Sequence, residues 1–348
     1  DFVLTFEELQ GLFDAKEVDF SKIEEDPTDS MSEGTGMGRG FAVGGGVAAA
    51  VVDSEGTILG KVSLPTPRGA EAVADQMAAA ARGAAEAAGT ALDEVVSVGI
   101  GAPGAIEPDT GVIKYWSNLD FTNVPITALM KARLDKEILL ENDANAAALG
   151  EYAAGAGKGS QSMVAVTLGT GVGGGAILNG KLYTGFNYAG MEIGHFVIEH
   201  GGRLCTCGRR GCFEAYCSAT ALIKRTRQAM EEDRTSRLWE LAGSLEGVNG
   251  RTPFDAAAQG DPAAGKVIDE YVDYLGCGVA SLVNIFQPEV ICIGGGPSAQ
   301  GETLMAPVCY ILNREDYARN NLHRTRLVRA ALGNDAGLIG AALLPLFR

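Results

Sequence analysis

GHFVIEHGGRLCTCGRRGCFEAY, residues 194–216, places three of the chain's seven cysteines within eight positions, with a histidine ten residues ahead of the first. His195, Cys205, Cys207 and Cys212 form an H-x9-C-x-C-x4-C array. Four soft or borderline donors are the number a closed tetrahedral zinc site takes. Four protein ligands leave no position for water, so the spacing predicts a structural ion holding the loop GGRLCTCGRRGC in shape rather than a catalytic one. An odd cysteine count with this crowding suits a metal site in a reducing compartment better than a disulfide framework.

Outward from that loop, 348 residues are enough for two lobes and a sizeable core. A composition 46% hydrophobic and 21% charged excludes disorder throughout. The net charge of −16 argues against a nucleic-acid partner, because neutralising phosphates requires lysine and arginine gathered on one face. Half of that imbalance sits in residues 1–40, where eleven acidic side chains face three basic ones. No apolar run reaches the roughly 18 residues of a membrane span. The stretch DFVLTFEELQ is acidic where a signal peptide is basic and then apolar, so a soluble, cytoplasmic chain with no membrane partner is expected.

Along the chain, residues 1–38 have linker composition after one short helical pattern. FAVGGGVAAAVVDSEGTILGKVSL predicts two or three strands with turns at the glycine triplet and at Asp53–Gly56. A helix follows from about Gly69 to Ala88, then a buried strand, VVSVGIGAPGAI. NDANAAALGEYAAG predicts a helix capped by Asn142 or Asp143, and MVAVTLGTGVGGGAILNGKLYTG a hairpin around a glycine turn. VIDEYVDYLGCGVASLVNIF is helical, EVICIGGGPS is a strand entering a glycine turn, and DAGLIGAALLPLF is a small-residue helix. Two strand-turn-strand units with glycine turns suggest a duplicated α/β fold with a cleft between its halves.

The string EIGHFVIEHGGRLCTCGRRGCFEAY resembles the signature of the ROK family (repressors, open reading frames and sugar kinases), over roughly residues 40 to 348, with the bacterial glucokinase type as the nearest flavour. The resemblance implies a two-lobed actin-like, ribonuclease H-like ATPase fold with duplicated α/β lobes, a hexose in the inter-lobe cleft, and ATP with Mg2+ at its base. The expected division is an acidic extension over 1–38, a small lobe over 39–142 completed by a C-terminal helix at 334–348, and a large lobe over 143–333 carrying the zinc loop. It also implies a homodimer or homotetramer.

Site residues follow from the same resemblance. Phosphorylating a sugar alcohol needs a group that accepts its proton, and Asp143, which by itself reads as a helix cap, takes that role. Gly104, Asn118, Asn142, Glu192, His195 and Glu214 join Asp143 at the sugar, with His195 also binding zinc. Carboxylates suit sugar hydroxyls because each oxygen accepts twice. Thr170 and Gly171 in TLGTGVGGG match the second phosphate segment, and Gly294 and Gly295 in IGGGP match the glycines beside adenosine.

The first phosphate segment departs from the pattern. Family kinases carry D-x-G-G-T in the opening hairpin, whereas this chain reads GRGFAVGGGVAAAVVD, with no Asp or Glu between Glu33 and Asp53. Phe41 occupies the aspartate's place, or Gly44, Gly45 and Gly46 form a shortened loop. A magnesium-positioning carboxylate is missing on either alignment. The leading expectation is an ATP-dependent hexose kinase acting on the 6-hydroxyl of glucose or a close relative; the alternative is a sugar-binding relative with impaired catalysis. A family repressor needs a helix-turn-helix that the short acidic extension does not supply.

Overall fold

The computed structural model describes residues 46–347. The expected acidic extension, and Gly44 and Gly45 of the first phosphate segment, lie outside the described residues.

β1 (Val47–Val52) and β2 (Ile58–Leu64) pair as an antiparallel hairpin. Asp53 closes its turn by accepting the backbone N–H groups of Thr57 at 2.8 Å and Glu55 at 3.0 Å, and the Thr57 bond leads in holding this exposed carboxyl below its ordinary pKa. α1 (Ala70–Ala87) lays Val73, Ala74, Met77 and Ala78 against the hairpin. β3 (Ser97–Ala102) pairs in parallel with β7 (Glu137–Asn142), and between them run β4 (Ala105–Glu107), β5 (Val112–Trp116), β6 (Phe121–Val124) and α2 (Ile126–Leu134). β4, β5 and β6 form an antiparallel meander.

VVSVGIGAPGAI is thus not one strand but two, β3 and β4, broken at Pro103-Gly104. Proline has no N–H to give a ladder. Gly104 has φ +85, and a Cβ there would stand 2.2 Å from the Tyr115 carbonyl oxygen. Ile100, Ile113, Trp116, Phe121, Ile126, Met130 and Leu140 make the core of this half, each worth about 1.5–3 kcal/mol when fully buried.

α3 (Asp143–Ala154) leads into the second half, followed by β8 (Met163–Leu168), β9 (Val172–Leu178) and β10 (Lys181–Tyr183). The cysteine loop then runs into α4 (Glu214–Cys217), α5 (Ala219–Glu232), α6 (Leu238–Ala242), α7 (Thr252–Ala258) and α8 (Pro262–Phe286). β11 (Val290–Gly295), α9 (Glu302–Glu315), β12 (Arg326–Arg329) and α10 (Ala336–Leu343) end the fold. The sheet order is β10-β9-β8-β11-β12, with β8, β11 and β12 parallel. Every residue of β11 is buried, as a central parallel strand requires.

α10 returns from the chain's end to cross α3 at backbone distance. A Cβ on Gly340 would meet the Ala146 carbonyl oxygen at 1.7 Å, and one on Gly150 would meet that of Ala336 at 2.1 Å. On another side α10 meets β3, where a Cβ on Gly99 would lie 1.7 Å from the Ala341 carbonyl oxygen.

Candidate active site and metal centre

β7 ends and α3 begins at Asn142, whose Oδ1 accepts the N–H groups of Ala144 at 2.9 Å and Asn145 at 3.3 Å. Asn142, one of the two expected caps, is therefore the N-cap, and Asp143 is the first helical residue. This junction opens into a cavity of about 440 Å³, ample for a small polar ligand. Gly104 and residues 142–145 wall it on one side, with Gly173, Gly174 and residues 187–192 on the other. Asp143 and Glu192 both line it.

Burial pushes the Asp143 carboxyl above its ordinary pKa; backbone N–H donors, chiefly Ala144, oppose the shift, and the negative charge of Glu192 adds to it. The result is a carboxylate with more than usual appetite for a proton. Glu192 is placed by the short 3-10 turn Ile193–His195: Ile193 and Gly194 are buried, and a Cβ on Gly194 would sit 2.3 Å from the Val172 carbonyl oxygen. Tyr188 and Met191 in the same wall carry φ of +63 and +66.

His195 ends that turn and faces the cysteine loop. The ligand atoms of His195, Cys205, Cys207 and Cys212 all lie within 4.8 Å of one another. Cys205 Sγ is 3.6 Å from His195 Nδ1, and Cys207 Sγ is 3.7 Å from Cys212 Sγ. Tetrahedral zinc with ordinary Zn–S and Zn–N bonds has donor-to-donor edges of about 3.5–3.8 Å, so the residues present fit that ion. Burial, with the neighbouring thiols adding, pushes Cys212 up to about 12, a burden that a central cation would reverse.

The loop is also anchored without metal. Arg203 pairs with Glu270 of α8 and lies 4.5 Å over the Tyr216 ring, whose hydroxyl accepts the Arg203 N–H at 2.8 Å. Phe196 and Phe213 stack with centroids 5.1 Å apart. Gly211 has φ +81 beneath the Glu199 carbonyl.

Glu214 lines a different cavity from Asp143 and Glu192. Its Oε2 accepts the Val172 N–H at 3.1 Å and its Oε1 accepts the Thr206 hydroxyl at 2.8 Å. With Thr170 it lines a second cavity of about 380 Å³, between the glycine turn and the cysteine loop. A Cβ on Gly171 would lie 2.3 Å from Glu214 Oε2, so the bare glycine lets the carboxylate approach. Asn118 is exposed in the 3-10 turn Ser117–Leu119 and does not line the Asp143 cavity.

Thr170 and Gly171 form the turn between β8 and β9, and Gly294 and Gly295 end β11 beside it. Gly295 has φ +107, and a Cβ there would stand 2.0 Å from the Leu168 carbonyl oxygen. Both glycine segments lie at the carboxyl ends of adjacent parallel strands, where open α/β sheets bind ligands. Asn145, Asn187 and Tyr188, which are not among the expected site residues, also line the first cavity. The polar NDAN run was the available signal for Asn145.

The two-lobed arrangement is an actin-like ATPase fold, shared with solved sugar kinases. The ROK glucokinase of Streptomyces griseus, in complex with glucose and AMPPNP, matches at TM-score 0.70 and 37% identity over 85% of this chain and 94% of its own. The ROK hexokinase of Thermus thermophilus matches at TM-score 0.73 and 35% identity over 85% and 93%. Residues 37–346 match the ROK family model, and the chain belongs to that family. Glucokinase of Thermotoga maritima is 40% identical over 312 residues, covering 88% of this chain and 93% of that protein.

Proposed function

We propose that the chain is an ATP-dependent glucokinase, transferring the γ-phosphoryl group to the 6-hydroxyl of glucose or a close relative. The observation that carries this is the cavity in which Asp143, its proton affinity raised by burial, shares the lining with Glu192 and with Gly173 and Gly174 of β9. Glucokinase relatives at 37–40% identity along nearly their whole length support the substrate pair.

In this reading Asp143 accepts the proton of the 6-hydroxyl and aims its oxygen at the γ-phosphorus. Glu192 and Asn142 orient the sugar, while Gly104 lets backbone approach it. Thr170 and Gly171 hold phosphate oxygens of MgATP through backbone N–H groups and a hydroxyl, and Gly294 and Gly295 keep the adenosine side open. Zinc, when bound to His195, Cys205, Cys207 and Cys212, supplies shape to the loop rather than chemistry. The positive end of α3 favours the charge gathered at its N-terminus. We place the lobe boundary at 142/143, supported by separate hydrophobic clusters on either side. We place the protein in the cytoplasm as a homodimer or homotetramer; exposed Ile285 and Tyr317 offer apolar surface for such contacts.

A second reading, a sugar-binding relative with impaired catalysis, is favoured by the lack of any carboxylate between Glu33 and Asp53. A coupled assay of glucose-dependent ADP formation beside calorimetric sugar binding separates the two. Turnover that Asp143→Asn abolishes supports the kinase. Binding without turnover supports the second reading.

A further inference from the structure

Asn145 lies on α3 two residues past Asp143, only 3% exposed, and its two amide atoms meet different surroundings. Nδ2 donates to Glu141 Oε1 at 3.0 Å, and the same oxygen accepts the Asn142 backbone N–H at 2.9 Å. A carboxylate oxygen only accepts, so the amide is fixed with its nitrogen toward Glu141 and its oxygen turned away. Glu141 is 2% exposed and has no route to swing into water. Asn145 Oδ1, also buried, has no hydrogen-bond partner among the described residues. Buried amide oxygens are seldom left this way, and Asn145 belongs to the wall of the cavity shared by Asp143 and Glu192.

We propose that Asn145 is a substrate-binding residue, its Oδ1 accepting a hydrogen bond from a hydroxyl of the hexose, with Glu141 as the positioning residue that aims it. The proposal rests on the hexose-kinase reading above. Its chemistry is selective: Asp143, Glu192 and Asn145 Oδ1 are all acceptors, so the cavity matches a neutral ligand rich in O–H donors and repels a carboxylate or a phosphate ester.

Calorimetry on the full chain with glucose, a set of monodeoxyglucoses and AMPPNP tests this. Asn145→Ala should weaken glucose binding on the order of 10- to 100-fold while leaving AMPPNP binding unchanged. One monodeoxyglucose, lacking the hydroxyl that meets Asn145, should bind the variant and the unsubstituted protein equally. Glu141→Gln, which leaves the Asn145 amide free to turn, should weaken glucose binding several-fold and gives a reading even if the alanine variant fails to fold. Unchanged glucose affinity in both variants, equal losses across every deoxyglucose, or a parallel loss of AMPPNP binding would overturn the proposal. If the unsubstituted protein binds no hexose, the kinase reading itself fails and takes this inference with it; glucose binding that ignores both variants removes the inference alone.

Discussion

The two halves of the molecule treat their tryptophans differently. Trp239 in the second half donates its indole N–H to the Met230 carbonyl at 2.8 Å, whereas Trp116 in the first half buries an N–H with no hydrogen-bond partner among the described residues. The contrast extends to the sheets. The second half aligns five strands in one sheet, while the first half keeps β1–β2 and β3–β7 as separate ladders although α10 touches both β1 and β3. An apolar cavity of about 320 Å³ lies between them, lined by β1, by Ser97–Gly99 of β3, and by Met77, Ala81 and Leu338. One half is a single five-stranded block cornered by the cysteine loop, and the other keeps a cavity between its ladders. The lesson is that the junction at 142/143, where the candidate base sits, joins halves that are packed differently.

The largest effect belongs to that junction. Asp143→Asn should lower kcat by about 10²–10⁴-fold in the coupled assay while sugar binding persists; unchanged turnover would remove Asp143 as the base. Next, adding a chelator to the zinc-loaded protein, or Cys212→Ser, should drop the thermal midpoint on the order of 10 °C. Read with single-tryptophan variants, that loss should appear at Trp239 before Trp116; simultaneous loss would dissolve the distinction between halves.

A smaller effect compares packing directly. Ala176→Leu, at a fully buried position of β9, should cost about 1–3 kcal/mol, whereas Ala81→Leu, into the apolar cavity, should stabilise by roughly 1 kcal/mol in denaturant titration. Equal destabilisation by both would show that the first half is as tightly filled as the second. The subtlest effect concerns pH. A proton-accepting Asp143 works as the anion, and its pKa is raised, so on the proposed mechanism kcat/KM should fall with acidification at a pH above the ordinary aspartate range. For stability the sign reverses: the folded state holds the proton more tightly, so stability from this group is present at low pH and lost as pH rises through the folded pKa. Asp143→Asn should therefore raise the midpoint slightly at neutral pH, and a lowered midpoint would contradict the shift.

The cysteine array was legible because its ligands are close in sequence and their number is set by the ion. Asp143 and Glu192 were paired by resemblance, not by pattern, since they lie 49 positions apart and the packing of β9 against α3 brings them to one cavity. Glu214 was expected beside them, yet its carboxylate is taken by Val172 N–H and Thr206. Nothing local forecasts that, because it depends on Gly171 leaving room. The orphan oxygen of Asn145 and the unjoined ladders of the first half were equally hidden, as both arise from how neighbours face one another rather than from periodicity.

The crossing of α10 over α3 has a mechanical consequence. Helices that meet through Gly340, Ala146, Gly150 and Ala336 interlock no bulky side chains there, so the joint resembles a plain bearing: it fixes how closely the two rods lie but resists their rotation only weakly. A single methyl at position 340 would wedge that bearing open. The alignment of the candidate proton acceptor on one rod is thus held hostage by a glycine nearly two hundred residues downstream, and damage there would register as misaligned chemistry far from where it was made.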